Sequence, residues 1–227
     1  MSTYTDLGIE LMVTGENAGT WGTKTNNNLN LIEQLTSGFA TLSIAGGAGT
    51  QDLDIDDGAL TGTAQQRIIE FTGSITGNRI ITIPNDVETF YMLKNSTSGA
   101  YTVQFKYKTG SGSSTTFSST DKGIKIVYAS ANDGTNPDIV DVMANSSEIV
   151  LANNNPIKFN DADNSAYVGI DAPTTVSGSY TLTLPAGVGS ADQALVTTDG
   201  SGTLGFTSTS SFGITTGKAI AMAIVFG

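Results

Sequence analysis

Between residues 67 and 143 one local pattern recurs six times: a run of five to seven residues rich in β-branched and aromatic side chains, then a cluster of turn formers. The runs are RIIEF at 67–71, RIITIP at 79–84, TFYML at 89–93, YTVQFKY at 101–107, KGIKIVY at 122–128 and IVDVM at 139–143. TGN, PND, NSTSG, TGSGSS and NDGTNPD lie between them. Side chains of the first kind fit a pleated, half-buried surface, and the Gly, Asn, Asp and Pro of the second reverse the chain. Links this short leave no room for the crossover helix of a βαβ unit, so the pattern predicts antiparallel, sandwich-like β domains. Along 101–107, Tyr101, Val103, Phe105 and Tyr107 share one face while Gln104, Lys106 and Lys108 share the other, which predicts one dry and one wet side.

Composition agrees and removes several functions. Charged residues make up 14% of the 227 and Gly contributes 27, which is the profile of strands joined by tight polar turns. The net charge of −11 works against a nucleic-acid partner, whose phosphates are held by clustered Lys and Arg. With no Cys and no His, disulfides, thiolate metal sites, imidazole ligands and most hydrolase triads are excluded. The apolar run AIAMAIVF at 219–226 is far short of the roughly 20 residues of a membrane span, so no membrane insertion is expected. MSTYTDLGIELMV lacks the basic and long apolar regions of a signal peptide, which predicts a product made in the cytoplasm.

The chain reads as three zones: 1–45 with the one helix, a β domain over 46–148, and a second β module over 149–227. In TNNNLNLIEQLTSGF, Leu29, Ile32 and Leu35 recur at helical spacing with Leu31 beside them; Asn26, Asn27 or Asn28 is a candidate N-cap and Gly38 a stop. Trp21, the single Trp, stands between glycines in GTWG, either closing the local core or serving as a docking anchor. YTLTLP at 180–185 with ALV and DGSGTLGF echoes RIITIP at 79–84 with FYML and the strand ending at Phe105. At the end, Ile220, Met222, Ile224 and Phe226 alternate with alanines, giving a strand apolar on both faces that is buried either between subunits or in an ordinary core.

No constellation points to catalysis. Asp52, Asp54, Asp56 and Asp57 resemble a calcium loop, but Asp57 stands where the loop needs Gly and Thr63 where it needs Glu, so a solvated acidic turn is the expectation. Asp161, Asp163 and Ser165 form a weaker cluster still. Glu70, Asp86 and Glu88 are available as a glycosidase pair, yet they sit near strand ends as surface acids commonly do. GAGT at 47–50 and GSGS at 110–113 do not lead into the GK[ST] of a phosphate loop. Neither an enzyme activity nor a cofactor or metal is expected.

Three stretches, LP…DGSGTLGF, IITIPN…YMLKNSTSGAYTVQFK with its later DGTNPD, and the N-terminal TGENAGTWGTKTNNNLNLIEQ, resemble tail-fibre and related virion structural proteins of tailed bacteriophages of the marine type. The GKAIAMAIVFG ending is similar to C-termini of that group. The resemblance implies a β-rich homotrimer in the virion, attached through its N-terminal region to other tail or capsid proteins, with distal β domains that touch host surface polysaccharide. Tail fibre, fibre adaptor, capsid decoration or head fibre, and glycan-binding or depolymerising receptor protein are the forms it allows. The docking and assembly candidates are then Trp21, Leu29, Ile32 and Leu35 at one end, and Ile220, Met222, Ile224 and Phe226 at the other.

Overall fold

The computed structural model describes residues 2–151 and 155–212. The chain divides into two compact units, Met1–Ile149 and Val150–Gly227. Among the described residues, sheets and a single α-helix make it a mainly β protein.

In the first unit, β1 (Thr3–Tyr4) pairs antiparallel with β2 (Glu10–Leu11), and α1 (Trp21–Ser37) follows. The strands then run β3 (Phe39–Ser43), β4 (Gly49–Asp52), β5 (Ile68–Thr72), β6 (Arg79–Ile83), β7 (Thr89–Asn95), β8 (Val103–Tyr107), β9 (Thr115–Phe117), β10 (Ile124–Ala129) and β11 (Ile139–Asp141). They form a five-stranded sheet in the order β11-β10-β7-β5-β3 and a four-stranded sheet in the order β4-β6-β8-β9.

The pairing corrects the expected antiparallel pattern. From β3 to β8 the chain alternates between the two sheets, so sequence neighbours do not pair and every second strand does, in parallel: β3 with β5, β5 with β7, β4 with β6, β6 with β8. The path is a coil of three turns. Its rungs are 29 or 30 residues apart at first, Phe39 opposite Ile68 and Gly49 opposite Arg79, and then 24, Ile68 opposite Met92 and Arg79 opposite Val103. A short link is therefore compatible with parallel pairing when it crosses to another sheet instead of returning to its own. The antiparallel expectation holds where the coil ends, in β8 with β9, β7 with β10 and β10 with β11.

Corners continue the ladder between sheets. Gly46 N–H donates to Ser74 O at 3.0 Å, Ile75 N–H to Ser98 O at 3.0 Å and Ser98 N–H to Gly73 O at 3.0 Å. Gly99, at φ +98°, sits so close to the carbonyl oxygen of Ile75 that a Cβ there would collide with backbone, which is why a rung can turn at this point.

Both sheets contribute to one core. Ile69, Phe71, Tyr91, Leu93 and Val127 enter it from the five-stranded sheet, and Ile81, Ile83, Val103, Phe105, Tyr107 and Phe117 from the four-stranded one. The predicted dry face of 101–107 is correct for Val103, Phe105 and Tyr107, whereas Tyr101 precedes the strand and is exposed. Polar side chains admitted to the core are bonded. Asn95 accepts from the N–H of Thr97 at 3.2 Å and its hydroxyl at 2.7 Å, and donates to Asp121 O at 2.7 Å.

Two core tyrosines carry a consequence for pH. The Tyr91 hydroxyl donates to Ala64 O at 2.8 Å, and the Tyr107 hydroxyl donates to Val87 O at 2.7 Å while accepting from the Ala131 N–H. Burial pushes Tyr91 well up, and pushes Tyr107 up to about 12. Both groups are neutral in the fold at a pH where the unfolded chain ionises them, near the ordinary value of about 10. Their contribution to stability is therefore fully present below about pH 10 and declines as pH rises from there through the folded value. Denaturant midpoints followed across that interval should fall for the natural chain and fall less steeply for Tyr91→Phe/Tyr107→Phe; identical slopes would contradict the assignment.

Among its described residues the second unit forms two ribbons. β12 (Ile157–Asn160) pairs antiparallel with β13 (Tyr167–Ile170), and β14 (Gln193–Thr197) with β15 (Leu204–Ser208), before a 3-10 turn at Thr209–Phe212. The echo between 79–105 and 180–206 is partial. Thr183 bridges Thr203 in parallel, as β6 pairs β8, but β14 and β15 pair with each other whereas β7 and β8 lie in different sheets.

Candidate assembly surfaces

The helix begins earlier than the Asn run suggests, at Trp21 behind Thr20, and ends at Gly38, whose N–H donates to Gln34 O at 2.8 Å. The asparagines are not caps. Asn28 uses its amide to pair with the backbone of Glu10, accepting from the N–H at 3.0 Å and donating to the carbonyl at 2.8 Å, and Asn27 donates to Gly58 O. Gln34 reaches Leu60 O at 3.3 Å. Amides spaced along one side of α1 thus replace a continuous apolar seam, and Leu31, fully buried, is the apolar residue of that side.

Lys24 adds an ion pair, its Nζ 2.9 Å from Glu10 Oε2. That hydrogen bond from Lys24, joined by one from Ser2, holds the Glu10 carboxyl below the usual carboxylate range against the opposing effect of desolvation. Because its folded value is depressed, the contribution of Glu10 is present above the ordinary carboxylate range and is lost as pH falls.

Three apolar side chains of the helix are open, among exposed polar residues such as Asn26, Asn30 and Glu33. Trp21 is 66% exposed, Leu29 58% and Ile32 47%, while Leu35 is half-buried. Trp21 does not close the local core. The helical stripe read from the sequence is therefore split: Leu29 and Ile32 face out and Leu35 is half-buried, while Leu31 beside them turns inward. Ile220, Met222, Ile224 and Phe226 lie outside the described residues.

The outer side of the five-stranded sheet carries a second apolar patch. Phe39, Ile68, Met92 and Ile126 are register partners across β3, β5, β7 and β10, and Phe90 is opposite Tyr128 in the next row. The Phe90 and Tyr128 rings are 5.0 Å apart and tilted by 39°, and the Tyr128 hydroxyl donates to Glu88 Oε1 at 2.6 Å. Tyr91 and Tyr107 are buried in the core, Tyr128 is half-buried, and Tyr101, Tyr167 and Tyr180 are exposed.

The acidic groups are dispersed and individually engaged. Asp52 pairs with Lys108 Nζ at 2.6 Å and accepts from Thr82 Oγ1 at 2.6 Å; Asp54 accepts from the Thr63 N–H at 3.0 Å; Asp56 accepts from Thr61 Oγ1 at 2.5 Å. These bonds, led by Lys108 for Asp52 and by Thr63 for Asp54, lower both carboxyl groups. Asp161 takes the Ser165 hydroxyl at 3.2 Å within its own loop. Among the described residues no three Asp or Glu side chains converge as metal ligands would. Glu70 is held by Lys94 at 2.8 Å and by Ser96, away from Asp86 and Glu88, which line an open cleft of about 710 Å³ with Asp6, Asn85 and Lys108.

No family model, curated protein or solved structure matches the chain.

Proposed function

We propose that the chain is a structural component of tailed-bacteriophage virions, a tail fibre or fibre adaptor, that docks on the particle through its N-terminal region and projects its β units as a homotrimer. The role is assembly by apolar burial, not catalysis. One observation carries the docking part: the outward side of α1 bears Trp21, Leu29 and Ile32, while Asn27, Asn28, Lys24 and Leu31 hold the other side to the unit. An aromatic anchor flanked by aliphatics on a fixed helix is the composition of an interface hot spot. In this reading the partners are other tail or capsid proteins, the location is the virion, and capsid decoration is the same chemistry on another surface of the particle.

Leu29→Asp/Ile32→Asp tests it. Both positions are exposed, so stability should change by no more than about 0.5 kcal/mol per site, while incorporation into particles is lost. Normal incorporation of the doubly substituted chain would defeat the reading. Substitution is preferable to deletion of the region, which would also remove buried Leu31 and the Asn28–Glu10 pairing.

A second reading, attachment to host surface polysaccharide, is favoured by the pairing of exposed Phe90 with half-buried Tyr128, Glu88 beside them, since aromatic faces and carboxylates together suit sugar rings. Binding of a bacterial polysaccharide that Phe90→Ala abolishes would support it, and release of sugar would make the protein a depolymerase.

A further inference from the structure

Three Asp-Gly pairs stand in the chain: Asp57–Gly58, Asp133–Gly134 and Asp199–Gly200. An aspartyl side chain can close a five-membered ring on the next backbone nitrogen, and a following glycine has no Cβ to crowd that approach. The fold treats the three pairs differently. At the first, the attacking nitrogen is engaged: the Gly58 N–H donates to Gly8 O at 2.8 Å, with Gly58 fixed at φ +65° against the Tyr4 ring. At the third, the carboxyl is engaged, since Asp199 Oδ1 accepts from the N–H groups of Ser201 at 2.8 Å and Thr203 at 3.0 Å. Bonds from Thr203 and Ser201 hold that carboxyl below the usual range, so little of it is in the acid form that loses water.

We infer that Asp133–Gly134 is a modification site, at which the chain converts without an enzyme to a β-linked isoaspartyl bond. Both residues are exposed, and a Cβ on Gly134 would meet nothing within 4 Å. Asp133 Oδ1 accepts from the Thr135 N–H at 2.8 Å, which folds the carboxyl beside the Gly134 nitrogen between them. The chain is anchored on either side and open at the pair: Asn132 Nδ2 donates to Asp138 Oδ2 at 3.3 Å, and Asn136 Oδ1 accepts from the Ser111 N–H at 2.8 Å. In the reaction the Gly134 nitrogen bonds to Cγ of the protonated carboxyl, the Cγ–O bond breaks, and the amide proton leaves with the hydroxyl as water. Water then adds to the main-chain carbonyl of the ring and breaks its bond to nitrogen, leaving Gly134 joined through Cγ and a free α-carboxyl on Asp133. Neither an oxidant nor a co-reactant other than water enters.

The product has one more backbone carbon between Asp133 and Gly134, in a loop without slack. A Cβ on Gly110 would strike Thr135 O, and one on Gly112 would strike Pro137 O, so the β8–β9 and β10–β11 loops already touch backbone to backbone. Lengthening the second loop displaces Thr135 and Asn136 and breaks the bonds from the Ser111 N–H and hydroxyl to Asn136, which join a loop of the four-stranded sheet to one of the five-stranded sheet.

This chemistry is independent of the docking and assembly reading. The full chain is stored at neutral pH and sampled over time. Its isoaspartate is labelled by an isoaspartyl methyltransferase with S-adenosylmethionine and located by peptide mapping. Asp133 should convert at least fivefold faster than Asp57 or Asp199 in the folded chain, a ranking that is lost in denaturant. Gly134→Ala, at an open position outside the left-handed region, should slow conversion of Asp133 at least fivefold while leaving the circular dichroism spectrum unchanged. Equal rates at the three pairs of the folded chain, or faster conversion at Asp57 or Asp199, would overturn the inference. So would an undiminished rate in Gly134→Ala, or the same ranking in denaturant, which would assign it to local sequence and not to the fold.

Discussion

Phe105→Ala should lower the stability of the first unit by about 3–5 kcal/mol, the range for removing a fully buried Phe side chain and leaving a cavity. Phe105 is completely buried, meets the Tyr91 ring edge-on at 5.5 Å, and lies between Ile81 and Thr115 in its sheet register. Tyr91 belongs to the other sheet, so the contact ties the two sheets through the middle of the coil. Rungs stacked in parallel cannot close on the void without shifting their neighbours, which places the expected loss toward the upper part of the range. A domain of this kind is stable by only about 5–15 kcal/mol, so the variant should unfold at a much lower denaturant concentration by circular dichroism. Phe90→Ala is the matched control. It removes the same group from the outward side of β7, half exposed, and should cost under about 1 kcal/mol. Equal losses for the two would contradict the assignment of inner and outer faces.

That assignment was largely legible from residue alternation. The runs at 67–71, 79–84, 89–93 and 139–143 coincide within two residues with β5, β6, β7 and β11, because β-branched pairs such as Ile68–Ile69 and Ile80–Ile81 are bounded by Gly, Asn or Asp. What could not be read was which strand pairs with which. Alternation has the same period in parallel and antiparallel sheets, and the rung spacing changes from 29–30 residues to 24, so no fixed repeat announces the coil. The signal that could have found it is weaker: apolar residues recurring at matched register, as in Ile81 and Phe105 or Ile69 and Leu93, one rung apart.

The helix shows the same division. Leu29, Ile32 and Leu35 mark its period, but its inner side is chosen by Asn27, Asn28 and Gln34, whose amides satisfy backbone groups of β2 and the 58–60 loop. Polar side chains with specific partners are invisible to a hydrophobic pattern, and this is why Leu31, outside the Leu29–Ile32–Leu35 stripe, is the buried one. The Asn95 network in the core was hidden for a similar reason, since NSTSG reads as an ordinary turn until the carbonyl of Asp121 is brought to it.

Assembly is the second large expected effect, and it follows from the contrast between the two units. The first has a core supplied by both of its large sheets and is complete by itself. The second shows no buried residue among its described residues from 155 to 211. In the proposed homotrimer, association of copies adds to the free energy that orders this unit. Its ribbon order should therefore depend on concentration while the first unit stays folded on dilution, a separation that amide exchange would resolve.

Sedimentation equilibrium of the chain at low micromolar concentration is the most direct test of the proposed homotrimer. A mass about three times the 23.4 kDa of one chain is expected, and a 23.4 kDa species that persists as concentration is raised would rule the homotrimer out.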